Sequence, residues 1–339
     1  MKPWFAIVGL AALAGCTNSA GDSNEVVVYT SLDSVFSESI LDEFTNTAGL
    51  TALAKFDTES TKSVGLAQAI IAEQAAPRCD VFWNNEILNT LRLEEQGLLE
   101  VYRSPSAESY PEMWRSPNGT WHGFAARARV LIVNADLAPE GDRPTSYRDL
   151  ADAKWKGRVG IAKPLFGTTA THAACLFALL GDEEAKQYFR DLKANDVQIM
   201  AGNKHVAQAV AAGQLAFGFT DTDDAISELE AGQPVAIVYP DREPDQLGTL
   251  FIPNTLAIIK NCPHPENARR LVDYLLAPDI EAKLAESHSA QIPLNPAVTT
   301  KPRVETPRTV KAMPVDFAAA VKQWDNAATF IRDEFATAE

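Results

Sequence analysis

The chain is short of cysteine, histidine and basic charge, and each shortage removes a class of function. Among 339 residues there are four cysteines and five histidines. Cys79, Cys175 and Cys262 lie far apart, with no Cys-x-x-Cys or Cys/His spacing, which argues against a zinc site. They remain either free buried thiols or one disulfide and a leftover thiol. Lys and Arg total 30 against 45 Asp and Glu, a net charge of −15. That deficit of cationic side chains disfavours nucleic acid and anionic lipid surfaces as partners. Gly-x-Ser-x-Gly, a Walker loop and His-Glu-x-x-His are all missing. His172 sits beside Thr169 and Thr171 but no residue near it marks a nucleophile, and His122, His205, His264 and His288 are scattered. No internal repeat, heptad pattern or low-complexity tract is present.

What the chain does have begins at its N-terminus. Lys2 is followed by a short apolar core, Phe5 to Leu13. It is well below the ~20 apolar residues that a membrane-spanning helix needs, so residues 1–15 read as a signal peptide. The ending Leu13-Ala14-Gly15-Cys16 resembles a bacterial lipobox, which implies a lipid on Cys16. Residues 16–24, rich in Ser, Asn and Gly, then read as a flexible tether. The alternative is an ordinary signal peptide with a chance cysteine. Both readings place the protein outside the cytoplasm, and the first holds it at the cell-envelope membrane.

The remaining chain alternates β-rich and helical runs. Strands are expected at Glu25–Tyr29, Ala52–Phe56, Cys79–Trp83, Val159–Ala162, Val197–Met200 and Leu215–Phe219. Helical spacing covers Ser37–Phe44, Ser63–Gln74, Leu88–Gln96, Thr171–Leu180, Glu183–Asn195, Val206–Ala212 and Asp224–Ala231. This alternation predicts an α/β fold of two lobes, each a parallel sheet covered by helices. Val130–Val133 and Thr249–Ile259 read as extended runs on which the chain crosses between lobes. The expected division is 25–126 with 252–292 for lobe 1, and 127–251 with 293–339 for lobe 2.

Polar loops follow the strands, where helix N-termini gather ligands in such folds. They contain Ser31 and Asp33, then Thr58, Glu59 and Ser60, then Asn85 and Glu86, then Thr168 and Thr169, then Asp221 and Asp223. One such residue per loop is accounted for by helix capping; several per loop suggest a binding cleft. Hydroxyls at helix N-termini suit a phosphate, phosphonate or carboxylate, whereas Asp33, Glu59, Glu86, Asp221 and Asp223 suit a cation or an amine. Arg127 and Arg129 share a face if they lie on a strand, either to bind an anion or to form salt bridges.

The stretches Val27-Val28-Tyr29-Thr30-Ser31, Cys79-Asp80-Val81-Phe82-Trp83, Gln96-Gly97-Leu98-Leu99 and Lys154-Trp155-Lys156-Gly157-Arg158-Val159-Gly160 resemble the periplasmic ferric-iron-binding proteins. Their relatives bind 2-aminoethylphosphonate, sugar phosphates or thiamine. The resemblance runs from about Glu25 to beyond Pro293. It implies a two-lobed receptor with a hinge and a ligand cleft between the lobes. Such a receptor is a monomer that is not an enzyme, has no resident cofactor, and delivers a small-molecule solute to an ABC transporter permease in the inner membrane. In the ferric-binding relatives a histidine, a glutamate and two adjacent tyrosines hold the metal. Asp33, Asn85, Thr222 and Asp223 stand at the matching positions here. Without phenolates the expected solute is anionic or zwitterionic, phosphonate-like, with ferric iron on Asp33 and Asp223 as the alternative. A secreted enzyme on the same scaffold is the rival of another class, supported only by the Thr, His and Asp content.

The lipobox reading predicts that Cys16→Ser moves the protein from the membrane to the soluble fraction after signal processing, with solute binding unchanged. Cell fractionation checks it, and a processed variant that stays with membranes contradicts it.

Overall fold

The computed structural model describes residues 24–58 and 61–336. The first lobe opens β1 (Glu25–Thr30), α1 (Ser34–Ala48), β2 (Thr51–Phe56), α2 (Val64–Ala72), β3 (Val81–Asn84), α3 (Leu88–Glu95). A long strand, β4 (His122–Asn134), leads into the second lobe. That lobe contains β5 (Val159–Ala162), α4 (Gly167–Leu180), α5 (Asp182–Ala194), β6 (Gln198–Met200), α6 (Asn203–Ala211), β7 (Phe217–Asp221), α7 (Thr222–Glu230) and β8 (Val235–Val238). The chain returns on β9 (Phe251–Ile258), followed by α8 (Pro265–Leu275), α9 (Pro278–Glu286), α10 (Phe317–Lys322) and α11 (Trp324–Phe330). Mixed α/β architecture with two lobes, a hinge and a cleft is what the strand–helix alternation predicted.

Strand order is β2-β1-β3-β9-β4-β7-β5-β6, with β8 on β4. Pairing within each lobe is parallel, β1 with β2 and β3, and β5 with β6 and β7. The crossing strands are antiparallel: β9 pairs with β3 and β4, and β4 with β7 and β8. The two expected sheets are therefore joined. Residues His122–Ala128 of β4 pair with β9, and Arg129–Val133 pair with β7.

Side-chain alternation on β4 serves two cores at once. Val130 and Ile132 continue the apolar cluster that holds Val26, Val28, Phe82 and Trp83. Leu131 and Val133 face the second cluster, with Trp155, Phe177, Phe189, Phe217 and Phe219. The helix α8 packs on β1, β3 and β9, whereas α10 lies against both α3 and α4. Helix α1 ends at Gly49, whose φ of 67° is the left-handed conformation that stops a helix before β2.

Several boundaries differ from the pattern reading. Helix α4 starts at Gly167 rather than Thr171, so Thr168 and Thr169 lie in its first turn and not in a preceding loop. Strand β8 and helices α9 to α11 carry no period strong enough to announce them. Cys79, Cys175 and Cys262 are all buried free thiols. Cys16 and Ser60, with Glu59, lie outside the described residues.

Candidate functional site

The polar groups that the loops offered converge where the ends of β1, β3 and β7 meet the crossing strand β4. The second lobe supplies a buried charge network. Arg129 is fully buried and sends Nη1 to Asp221 Oδ1 at 2.8 Å and Thr168 Oγ1 at 3.2 Å. Its Nη2 donates to Thr169 Oγ1 at 3.2 Å, and its guanidinium lies 4.6 Å from the centre of the Phe219 ring. Thr168 donates to Asp221 Oδ2 at 2.6 Å, and Asn203 Nδ2 donates to the same oxygen at 2.9 Å. Arg127 Nη1 lies 2.9 Å from Asp223 Oδ2 and 3.6 Å from Asp221 Oδ2.

The first lobe faces this network with a smaller set. Ser31 donates to Asn84 Oδ1 at 2.8 Å and accepts from the Asn85 amide at 2.9 Å. Asp33 pairs with Lys62 at 2.6 Å. Thr58 is exposed, in hydrogen-bond contact with Thr61 at 2.8 Å. Glu86 is fully buried and caps α3, accepting from the Leu88 amide at 2.6 Å and the Asn89 amide at 3.0 Å. Its remaining capacity goes across the cleft, to Thr171 Oγ1 at 2.7 Å. Two more bonds join the lobes, from the Gly167 amide to Lys62 O at 3.0 Å and from Arg127 Nη2 to Asn85 O. The lobes are closed on each other.

Of the residues singled out from sequence, the structure thus gathers Ser31, Asp33, Asn85, Glu86, Arg127, Thr168, Thr169, Asp221 and Asp223 around one cleft, with Thr58 at its exposed rim. It engages Glu86, Thr168 and Thr169 in internal hydrogen bonds. Pattern reading did not single out Lys62, Asn203 or Asp224. Lys62 and Asp224 stood inside polar loops with nothing to mark them, and Asn203 follows Gly202 at a helix start that resembles any cap. His172 packs 4.9 Å from the Phe219 ring centre, and burial, then Arg129, keeps it neutral.

Charge balance distinguishes the members of the cleft. Asp221, Asp223 and Asp224 bring carboxylate oxygens within 4.8 Å of one another at the start of α7. Burial would raise the Asp221 pKa, but Arg129 and Arg127 more than offset it and hold it below the ordinary value. Burial pushes Asp223 up against the pull of Arg127, with Asp221 adding to the rise. Asp224 has no cationic partner of its own. Its burial, then Asp223, Asp221 and Asp33, hold its pKa well above the usual carboxylate range despite Lys62. With Lys62, Arg127 and Arg129 paired to Asp33, Asp223 and Asp221, one carboxylate is in surplus.

An acid whose folded pKa is raised binds protons more tightly in the native state, so its ionisation destabilises the fold at high pH and not at low pH. Asp224→Asn is therefore expected to raise the melting temperature of the solute-free protein at pH 8. The gain should shrink as pH falls below the raised pKa, and vanish near the ordinary carboxylate value of about 4. Calorimetric melts at several pH values check this, and a variant less stable at pH 8 contradicts it.

Comparison with known proteins places this geometry. The family profile described as "Bacterial extracellular solute-binding protein" matches residues 88–321. Iron uptake protein A1 of Synechocystis is 27% identical over 318 residues, covering 87% of this chain and 86% of that protein. A putative 2-aminoethylphosphonate-binding periplasmic protein of Salmonella typhi is 23% identical over 199 residues, 58% of this chain and 57% of that one. The periplasmic binding protein AfuA of Actinobacillus pleuropneumoniae, with fructose-6-phosphate bound, shares the fold at a TM-score of 0.82 and 24% identity, over 93% of this chain and 99% of that one. These relatives are transport components rather than enzymes. The two closed lobes, the polar cleft at their junction and the profile match agree that the chain belongs to the bacterial extracellular solute-binding proteins, the solute-capturing components of ABC importers.

Proposed function

We propose that this protein captures a small zwitterion of the amino-phosphonate kind, such as 2-aminoethylphosphonate, and hands it to its permease. The observation that carries the reading is the surplus carboxylate at Asp224, beside Asp223 and facing the Asp33–Lys62 pair. A protonated amine placed there neutralises a charge that the protein leaves uncompensated. The anionic end then takes Lys62, Thr58 and the Ser60 loop of the first lobe, together with the amides that open α4. Arg127 and Arg129 serve mainly to hold Asp223 and Asp221, since both guanidiniums already face carboxylates. In this reading residues 25–126 with 252–292 and residues 127–251 with 293–339 are the two closing units, a monomer anchored through Cys16. Kinship with a protein named for 2-aminoethylphosphonate supports the chemistry.

Ferric iron is the second reading, favoured by the same carboxylate cluster, which suits a hard cation, and by kinship with an iron uptake protein. It is weakened by the lack of a phenolate at Thr222 and Asp223.

Isothermal titration with 2-aminoethylphosphonate and with ferric citrate separates the two. A charge-assisted hydrogen bond contributes about 1.5–3 kcal/mol, and a factor of ten corresponds to about 1.4 kcal/mol. Asp224→Asn should therefore weaken amino-phosphonate binding roughly tenfold to a hundredfold. Absence of heat with the amino-phosphonate, or equal affinity in wild type and variant, overturns the reading.

A further inference from the structure

We infer that Glu281 is a positioning residue for the cleft, setting the face on which Arg127 and Arg129 emerge. The starting point is the register of β4 against β9. Phe124 pairs with Asn254, but the next pair is Arg127 with Ile252, so three steps on β4 match two on β9. One extra residue is a β-bulge, and in a structure of period two it moves every later side chain to the opposite face. Phe124, Arg127 and Arg129 thereby share a face. In a regular strand Ala126 and Ala128 would occupy it, and both arginines would point away from Asp221 and Asp223.

Nothing in the local sequence favours this bulge. Ala125 has a φ of 43°, a left-handed conformation that alanine resists. Its peptide groups are held by side chains instead of the ladder. The amide donates to Glu281 Oε1 at 2.6 Å, and the carbonyl accepts from Asn254 Nδ2. Asn254 is fixed in turn by Gln291 Oε1 at 2.8 Å. Ala126, the neighbouring residue, exchanges two 2.8 Å bonds with Ile292. Glu281 also accepts from the Leu294 amide at 3.0 Å and the Asn295 amide at 2.8 Å. One fully buried carboxylate on α9 therefore ties the bulge in β4 to the segment 292–295, where the chain crosses the hinge again. Burying a carboxylate is costly unless it is well hydrogen-bonded, and here three backbone amides supply the bonds.

The test is independent of which solute binds. In Glu281→Gln an amide NH2 replaces one acceptor, and charge-assisted bonds to the bulge are lost. Hydrogen exchange at residues 122–129 and 292–295 is expected to accelerate by about tenfold or more, while β1 and β5 keep wild-type protection. Phenylglyoxal, read by mass spectrometry, should begin to label Arg127 and Arg129, which are buried in the wild type. Glu94→Gln serves as the control. Glu94 accepts from Ser116 at 2.8 Å and Trp121 at 3.1 Å, away from the hinge, and its variant should leave both readouts unchanged. Should Glu281→Gln fail to fold, Asn254→Ala removes the other anchor of Ala125 and should give the same pattern. Wild-type exchange and arginine protection in the variant would overturn the inference. So would an acceleration shared equally by β1 and β5, which marks an ordinary core group.

Discussion

Two arginines on β4 facing two aspartates at the end of β7 are the constraint on which the cleft depends. Arg129 and Asp221 are paired in register across these strands, both buried. A charge in such a place is tolerable only when fully compensated, and removing one partner of a buried pair typically costs about 3–5 kcal/mol. The compensation reaches outward in a definite order. Asp221 brings in Thr168 and Asn203, which fix the starts of α4 and α6. Asp223 brings in Arg127, whose other arm crosses to Asn85 in the first lobe. Helix starts from three strand ends are thus held around one charged centre.

The same strand is also the connection between lobes. Because β4 pairs with β9 along one half and with β7 along the other, any lobe motion must be accommodated near Arg127–Arg129. The bulge at Ala125 lies at this change of partner. A hinge built into a strand that also carries the charged centre couples closure to the state of the cleft, because Arg127 contacts both lobes. Motion of lobes about a few residues at element ends is an established route for such receptors.

Much of this was legible in the chain. Val159–Ala162 could be read to the residue as a strand because a buried parallel strand is a short apolar run between polar turns. The loops at Asp33, Asn85, Thr168 and Asp221 announced themselves by carrying more polar residues than a cap requires. Three things could not be read. Helix α4 begins earlier than its apolar spacing because Gly167, Thr168 and Thr169 form its first turn, held by Arg129 from another strand. The closing of Glu86 onto Thr171 depends on residues 85 positions apart. The bulge at Ala125 is imposed from α9 and β9, so alanines there look like any strand interior. Local pattern reports local preference, and each of these features is tertiary.

The central claim is that one uncompensated carboxylate makes this a receptor for an amine-bearing anion. Mass spectrometry of the solute released when the purified protein is denatured, with metal analysis of the same sample, tests it most directly. The account predicts one small organic molecule per protein, carrying both an amine and an acidic oxyanion, with iron far below stoichiometric. Stoichiometric iron, or a bound solute lacking any amine, would contradict it.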